Sequence, residues 1–284
     1  MSFSIVHVSD PHFGDATDLR KIAGVENLVP DLEPDVVVIS GDLTLRARHG
    51  EYQAARMFVH ELERTAPVYV VPGNHDVQWW WRPLVPFAPA AKYAKFREYF
   101  GPALTPTLDL TEGIVTGALT AHGIAWRSLT PHLRDVAVKG YLPRAEMRRV
   151  VGVFDRARPE QARVLVMHHN VLPGEVSQRM GLAHWQRARW RIGESGADVV
   201  LCGHDHEHQI DVLDGVVVSC AGTISARFQE GHPSAFHRVC IDDDAIQVEL
   251  YVWMPQIQSF KRTDMSVFTR RRSVNSAPVA AGTV

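Results

Sequence analysis

The chain has 284 residues, enough to bury a large core as one large or two small domains. Hydrophobic residues make up 45% and charged residues 22%, which fits a globular protein and excludes a disordered or low-complexity chain. A net charge of −2 gives no polybasic surface for nucleic acid or membrane, so an anionic substrate needs a local attractor such as a bound metal ion.

The first residues run directly into Ile5-Val6-His7-Val8, with no basic or long apolar leader. That short apolar run is read as a strand buried on both faces, and it ends in Ser9-Asp10-Pro11-His12. A short helix over Leu19–Val25, ended by Pro30 and Pro34, leads to Val36–Ile39 and then Ser40-Gly41-Asp42. Strand, helix and parallel strand make a βαβ unit. A helix over Glu51–Leu62 follows, then Val68–Val71 and Pro72-Gly73-Asn74-His75-Asp76. Residues 77–110 carry Trp79-Trp80-Trp81, then Pro83, Pro86 and Pro89, and a helix expected at Ala90–Phe100. Ile114–Leu119 and Ile124–Leu129 read as an antiparallel pair. A helix near Arg144–Arg156 feeds Val164–Met167, which ends in His168-His169-Asn170. A loop leading into a helix spans 171–197, and Val199–Cys202 then ends in Gly203-His204-Asp205-His206. Strands near Val216–Ser219, Phe236–Ile241 and Ile246–Val252 suggest an antiparallel meander. From Pro255 the chain turns polar, and from Ser276 it reads as a disordered tail. One domain over 1–254 with an extension over 255–284 is therefore expected. Cys202, Cys220 and Cys240 form no CxxC, which argues against a zinc ribbon and a secreted disulfide framework. No window approaches the ~20 apolar residues of a membrane span, and a cytoplasmic protein is expected.

Five of these strands share one format: an apolar run, then a loop that offers Asp, Asn or His. Ligand sites in α/β sheets gather outside the carboxyl ends of strands, so the five loops can meet on one rim. His204 and His206, two apart in an extended segment, point the same way. The candidate ligands are Asp10, His12, Asp42, Asn74, His168, His204 and His206. Seven donors are too many for one tetrahedral ion and suit two ions that share a bridge. No thiolate is among them, which leaves Mn²⁺, Fe²⁺/Fe³⁺ and Zn²⁺ open. Two dications with two carboxylates retain positive charge, which favours a bound hydroxide and an anionic substrate. A metal pair ~3.5–4 Å apart is the arrangement for in-line displacement at phosphorus. With a metal-bound hydroxide as nucleophile no side-chain nucleophile is needed, and the chain has neither a GxSxG elbow nor a P-loop. His75 is placed to donate a proton to the leaving oxygen, with Asp76 expected to orient its imidazole.

The ordered set Asp10-x-His12, Gly41-Asp42, Gly73-Asn74-His75-Asp76, His168 and Gly203-His204-x-His206 resembles the five blocks of the calcineurin-like metallophosphoesterases. Gly41-Asp42-Leu43-Thr44 and the His168-His169 pair look most like the bacterial class III cyclic-nucleotide phosphodiesterase branch. The resemblance implies an α/β fold of two mixed sheets packed as a sandwich and flanked by helices. It implies one metal on Asp10, His12, Asp42 and His206, and a second on Asp42, Asn74, His168 and His204. It also makes His75 the catalytic histidine, and it is what selects His168 over His169 as ligand. Two positions depart from the branch: Leu45-Arg46 stand where an acid is usual, and Asn170-Val171-Leu172-Pro173 follow the histidine pair. Both lie in loops expected to face the substrate.

The expected activity is metal-dependent hydrolysis of a small phosphodiester, with cyclic or other small nucleotides leading. A phosphomonoesterase or a glycerophosphodiester or phospholipid-headgroup hydrolase on the same metals is the alternative, and a non-catalytic scaffold a remote one. Arg46, His169 and Trp79 are candidate substrate contacts, Arg46 through a bidentate phosphate bond and Trp79 through stacking on a flat group. No membrane or nucleic-acid partner is expected, and a homo-oligomer is left open.

Overall fold

The computed structural model describes residues 2–78, 89–123, 135, 138–176, 178, 180–229 and 231–271. Two six-stranded mixed sheets face each other. In the first, β1 (Phe3–Val8) runs parallel to β2 (Val36–Ile39), and β2 parallel to β3 (Val68–Val70). The second has β5 (Gly113–Gly117), β6 (Ala162–His169), β7 (Val199–Gly203) and β9 (Val216–Cys220) as four adjacent parallel strands. Short antiparallel edges, β4 (Thr107–Asp109) and β8 (Gln209–Leu213), close its two sides. On its other side β1 meets β10 (Ala235–Ile241), followed by β11 (Ala245–Met254) and β12 (Ser259–Thr269), all antiparallel.

Side chains alternate across each strand, and the three apolar layers follow from that alternation. Phe3, Ile5, Val36 and Val38 point inward against Val164, Val166, Val199 and Leu201 of the facing sheet. Val6, Val8, Val37 and Ile39 point outward onto α1 (Leu19–Leu32) and α2 (His49–Leu62), meeting Ile22, Val25, Phe58 and Leu62. On the far side Leu165, Met167, Val200 and Cys202 pack on α4 (Arg144–Phe154) and α5 (Trp185–Gly193). Each central strand is buried on both faces, which is why it reads as a continuous apolar run.

Several expectations need correction. Pro30 does not end α1; the helix continues to Leu32, because burial of Val29 and Leu32 offsets the missing proline N–H. The helix expected over Ala90–Phe100 begins as a 3₁₀ turn at Pro89–Tyr93 and becomes α3 only at Ala94–Phe100. β5 pairs with β4 and β6, and Ile124–Leu129 lies outside the described residues. β9 is not part of a meander with β10 and β11. It belongs to the second sheet, paired with β8 through Asp214-Gly215, which have φ of 49° and 86°. That is the two-residue hairpin with both central residues left-handed, and Asp-Gly is its sequence mark. The first sheet also passes the 254 boundary, since β12 pairs along β11 as far as Thr269. The residues from 276 onward lie outside the described residues. No helix among the described residues is long and apolar enough to cross a membrane.

Candidate metal centre

The candidate donors come from loops at the carboxyl ends of β1, β2, β3, β6 and β7 and converge on the seam between the sheets. Their backbone is unusual. Asp10, His12, Asp42, His204 and His206 have φ of 53°, 45°, 50°, 85° and 62°, in the left-handed region. L-residues enter that region at a cost of roughly 1–2 kcal/mol each. The close approach also needs small neighbours: a Cβ on Gly73 would fall 2.1 Å from Asp42 Oδ1.

Two half-sites share Asp42. In one, His12 Nε2 lies 2.8 Å from His206 Nε2, and both face Asp10 Oδ1 at 3.5 and 3.3 Å. Asp42 Oδ2 is 3.8 Å from His12 Nε2. In the other, Asn74 Oδ1 lies 3.1 Å from both His168 Nε2 and His204 Nδ1. Those nitrogens are 3.3 Å apart, and Asp42 Oδ1 is 3.4 Å from His168 Nε2.

Hydrogen bonds behind the donors fix which atoms face inward. His168 Nδ1 donates to Ser40 O at 2.9 Å, and His206 Nδ1 donates to Arg227 O at 2.7 Å. With Nδ1 so engaged, each ring turns its Nε2 into the cluster, and the neutral tautomer that a metal ion would bind carries its lone pair there. Ser9 Oγ donates to Asp10 Oδ2 at 2.5 Å and the His204 N–H donates to it at 3.1 Å, while Asp10 Oδ1 is buried with no hydrogen-bond partner. An orphaned carboxylate oxygen is costly, and lone pairs facing each other repel. A cation between them relieves both, so the residues present fit two metal ions.

The electrostatics agree. Burial opposes the charge on Asp10, yet its contacts with His12 and His206 hold its carboxyl well below the ordinary range. Asp42 is also held far down against burial, by His168, His75 and His12. Against burial again, Asp42 pushes the His168 imidazole up to about 10. Burial lowers His204 to about 3 and His12 to about 4. The cluster is built to attract positive charge.

The remaining candidates divide. The His75 ring packs edge-on to His12 with centroids 4.8 Å apart, and its Nδ1 donates to Leu45 O at 2.7 Å. Asp76 does not orient it, contrary to expectation. The Asp76 carboxylate turns inward and accepts from Leu43 N, Thr44 N, Thr44 Oγ1 and Gly73 N at 2.8–3.1 Å. It clamps the Asp42 loop to the Asn74 loop. His169 is also removed from substrate contact: it is 1% exposed, with Nδ1 bonded to Thr120 Oγ1 and Nε2 to Val138 O, both at 2.9 Å. Arg46 stays half exposed and pairs with Asp15 at 3.2 Å. Trp79 lies outside the described residues. The supporting roles of Ser9, Ser40 and the Leu45 carbonyl were missed; only Ser9, beside Asp10, had a mark in the sequence.

Other proteins share this architecture and parts of this sequence. A glycerophosphodiester phosphodiesterase, GpdQ, from Enterobacter lignolyticus is 35% identical over 82 residues, 25% of this chain and 29% of that protein. A probable glycerophosphodiester phosphodiesterase from Arcobacter nitrofigilis is 34% identical over 84 residues, again 29% of its length. The match thus spans under a third of the curated relatives. A purple acid phosphatase from yellow lupin superposes with a TM-score of 0.66 at 13% identity, covering 95% of this chain and 54% of that one. A dimetal phosphatase from Danio rerio gives 0.65 at 13% identity, covering 95% and 99%. These likenesses establish the fold. The calcineurin-like phosphoesterase model matches residues 3–208, and the chain belongs to that family.

Proposed function

We propose that the protein is a two-metal phosphodiesterase for small phosphodiesters. The observation that carries this is the pair of half-sites sharing Asp42, each with nitrogen and oxygen lone pairs pressed together within 2.8–3.8 Å. Asp10, His12, Asp42 and His206 would hold one ion, and Asp42, Asn74, His168 and His204 the other. Ions held there supply Lewis-acid stabilisation of the phosphoryl group and activate water near neutral pH. Mn²⁺, iron and Zn²⁺ all suit this donor set. The chain's own contribution is orientation and proton transfer. With Nδ1 committed to Leu45 O, His75 is left with Nε2 to carry a proton to the leaving oxygen. The backbone N–H of His75 donates to Asp42 Oδ1 at 2.8 Å, which ties the donor's position to the shared carboxylate.

The test is hydrolysis of bis(p-nitrophenyl) phosphate. EDTA should abolish it and Mn²⁺ should restore it. Protein that carries two metal equivalents yet turns nothing over would favour the scaffold reading.

Two substrate classes compete within this activity. Cyclic or other small nucleotides follow from the resemblance to the class III branch. Glycerophosphodiesters are favoured by the names of the two curated relatives. A panel of cyclic nucleotides, glycerophosphodiesters and phosphomonoesters ranks them by kcat/KM, and a preference for monoesters would overturn the diesterase assignment. A cytoplasmic location is in keeping with Cys202, Cys220 and Cys240 all being free thiols.

A further inference from the structure

The metal centre leaves one strongly basic concavity unused. A cavity of about 330 Å³ opens between the start of α4 and the length of α5. Arg144, Arg187 and Arg191 line it together with His184 and Tyr141, and no acidic side chain does. Several arginines elsewhere have acid partners, as in Arg20 with Asp18, Arg56 with Glu63, Arg149 with Glu146 and Arg270 with Asp198. Among the described residues Arg144 and Arg187 have none. Arg191 is steadied by one bond, Nη1 donating to Leu142 O at 2.9 Å.

Two of the three arginines also break a local rule, while Arg191 sits in the last turn of α5. Arg187 lies in the first turn of α5, which holds no acid and no side-chain cap, and Arg144 is the first residue of α4. A helix N-terminus carries partial positive charge, and a cation there is disfavoured by about 0.3–1 kcal/mol. Guanidiniums facing one concavity repel each other further. On a chain of net charge −2 this is a local concentration, not a general basic character. Rule-breaking of this kind marks function, and an anion is what resolves it.

The cavity also adjoins the metal centre. Gly140 packs on the His169 ring, where a Cβ would lie 2.4 Å from Cγ, and Gly181 packs on His204, 3.3 Å from Cδ2. The two segments are laced together by Gly140 N to Gly181 O and Ala183 N to Gly140 O, both 2.9 Å. Tyr141 and His184 then follow within one to three residues, a reach of about 10 Å of extended chain at most.

We propose that this cavity is a second anion-binding site, which takes a phosphate group other than the one at the metals. Guanidinium forks match phosphate oxygens in bidentate fashion. The volume leaves room for a phosphate and part of the molecule that carries it. The phosphate has two sources: a second phosphate on the substrate, which rests on the proposed diesterase activity, or free inorganic phosphate, which does not.

Calorimetric titration of the metal-loaded protein with inorganic phosphate tests the site. The wild type should show two binding events and an Arg144→Gln/Arg187→Gln variant one. The same affinity and stoichiometry in both would overturn the proposal. Both substitutions are on exposed side chains, so turnover of bis(p-nitrophenyl) phosphate should stay within about twofold of wild type. KM separates the sources. For a diester that carries a terminal phosphate, a rise of about tenfold or more in the variant identifies a substrate phosphate. An unchanged KM with the second binding event lost identifies free phosphate. If neither protein hydrolyses a diester, the activity fails while the titration still decides the anion site.

Discussion

At the start of β7, Asp198 is 8% exposed and gives both carboxylate oxygens to Arg270, through Nε and Nη2 at 3.0 Å each, with Arg163 N at 2.8 Å. At the end of the same strand, His204 and His206 turn toward a cluster where Asp10 Oδ1 has no hydrogen bond at all. Both ends bury a carboxylate. At one end every requirement is met inside the chain, and the charge serves to fasten β12 to the second sheet. At the other end the chain withholds the partner, and the charge is available to a cation. Burial alone therefore does not mark a functional acid; incomplete satisfaction does.

The contrast can be broken most severely at Asp42. Asp42→Ala removes the shared donor and should lower kcat/KM more than any other substitution here, with metal content falling below two equivalents. Retained activity with full metal content would show that Asp42 is not the bridge. His75→Ala should reduce kcat by ~10²–10⁴-fold with the metal content of wild type, as the proposed role of His75 in handling a proton and not an ion requires. Metal loss in that variant would reassign it as a ligand. Arg270→Ala tests the satisfied end: leaving Asp198 buried without its partner should cost about 3–5 kcal/mol in denaturant unfolding, with metals per folded molecule unchanged. The smallest effect is at Tyr52, whose hydroxyl donates to Asp76 O at 2.6 Å. Tyr52→Phe should cost about 1 kcal/mol and leave kcat within a few-fold. A drop as large as that of His75→Ala would place Tyr52 in the chemistry.

Much of the donor end is legible in the sequence because β1, β2, β3, β6 and β7 are buried on both faces and their loops carry the polar residues. The satisfied end is not. β12 buries Phe260 and leaves Lys261, Arg262, Thr263, Asp264 and Met265 exposed, so it has no apolar run to read. β4 is three residues long, with both ends exposed. The partner of β9 is a tertiary choice, although Asp214-Gly215 announced its hairpin with β8. Within the site, residue type showed which atoms can bind and not where they point. Asp76 is the example: neighbouring in sequence to His75, its carboxylate is drawn away by four donors of adjacent loops.

The left-handed backbone at Asp10, His12, Asp42, His204 and His206 has a further consequence. The rim is a tensioned assembly, held in shape by the sandwich beneath it. Ion entry then needs little rearrangement, since the side chains already stand in place. Any substitution that loosens the apolar layer between the sheets gives the rim room to relax. Retention of ions should therefore track the firmness of a core that never touches them.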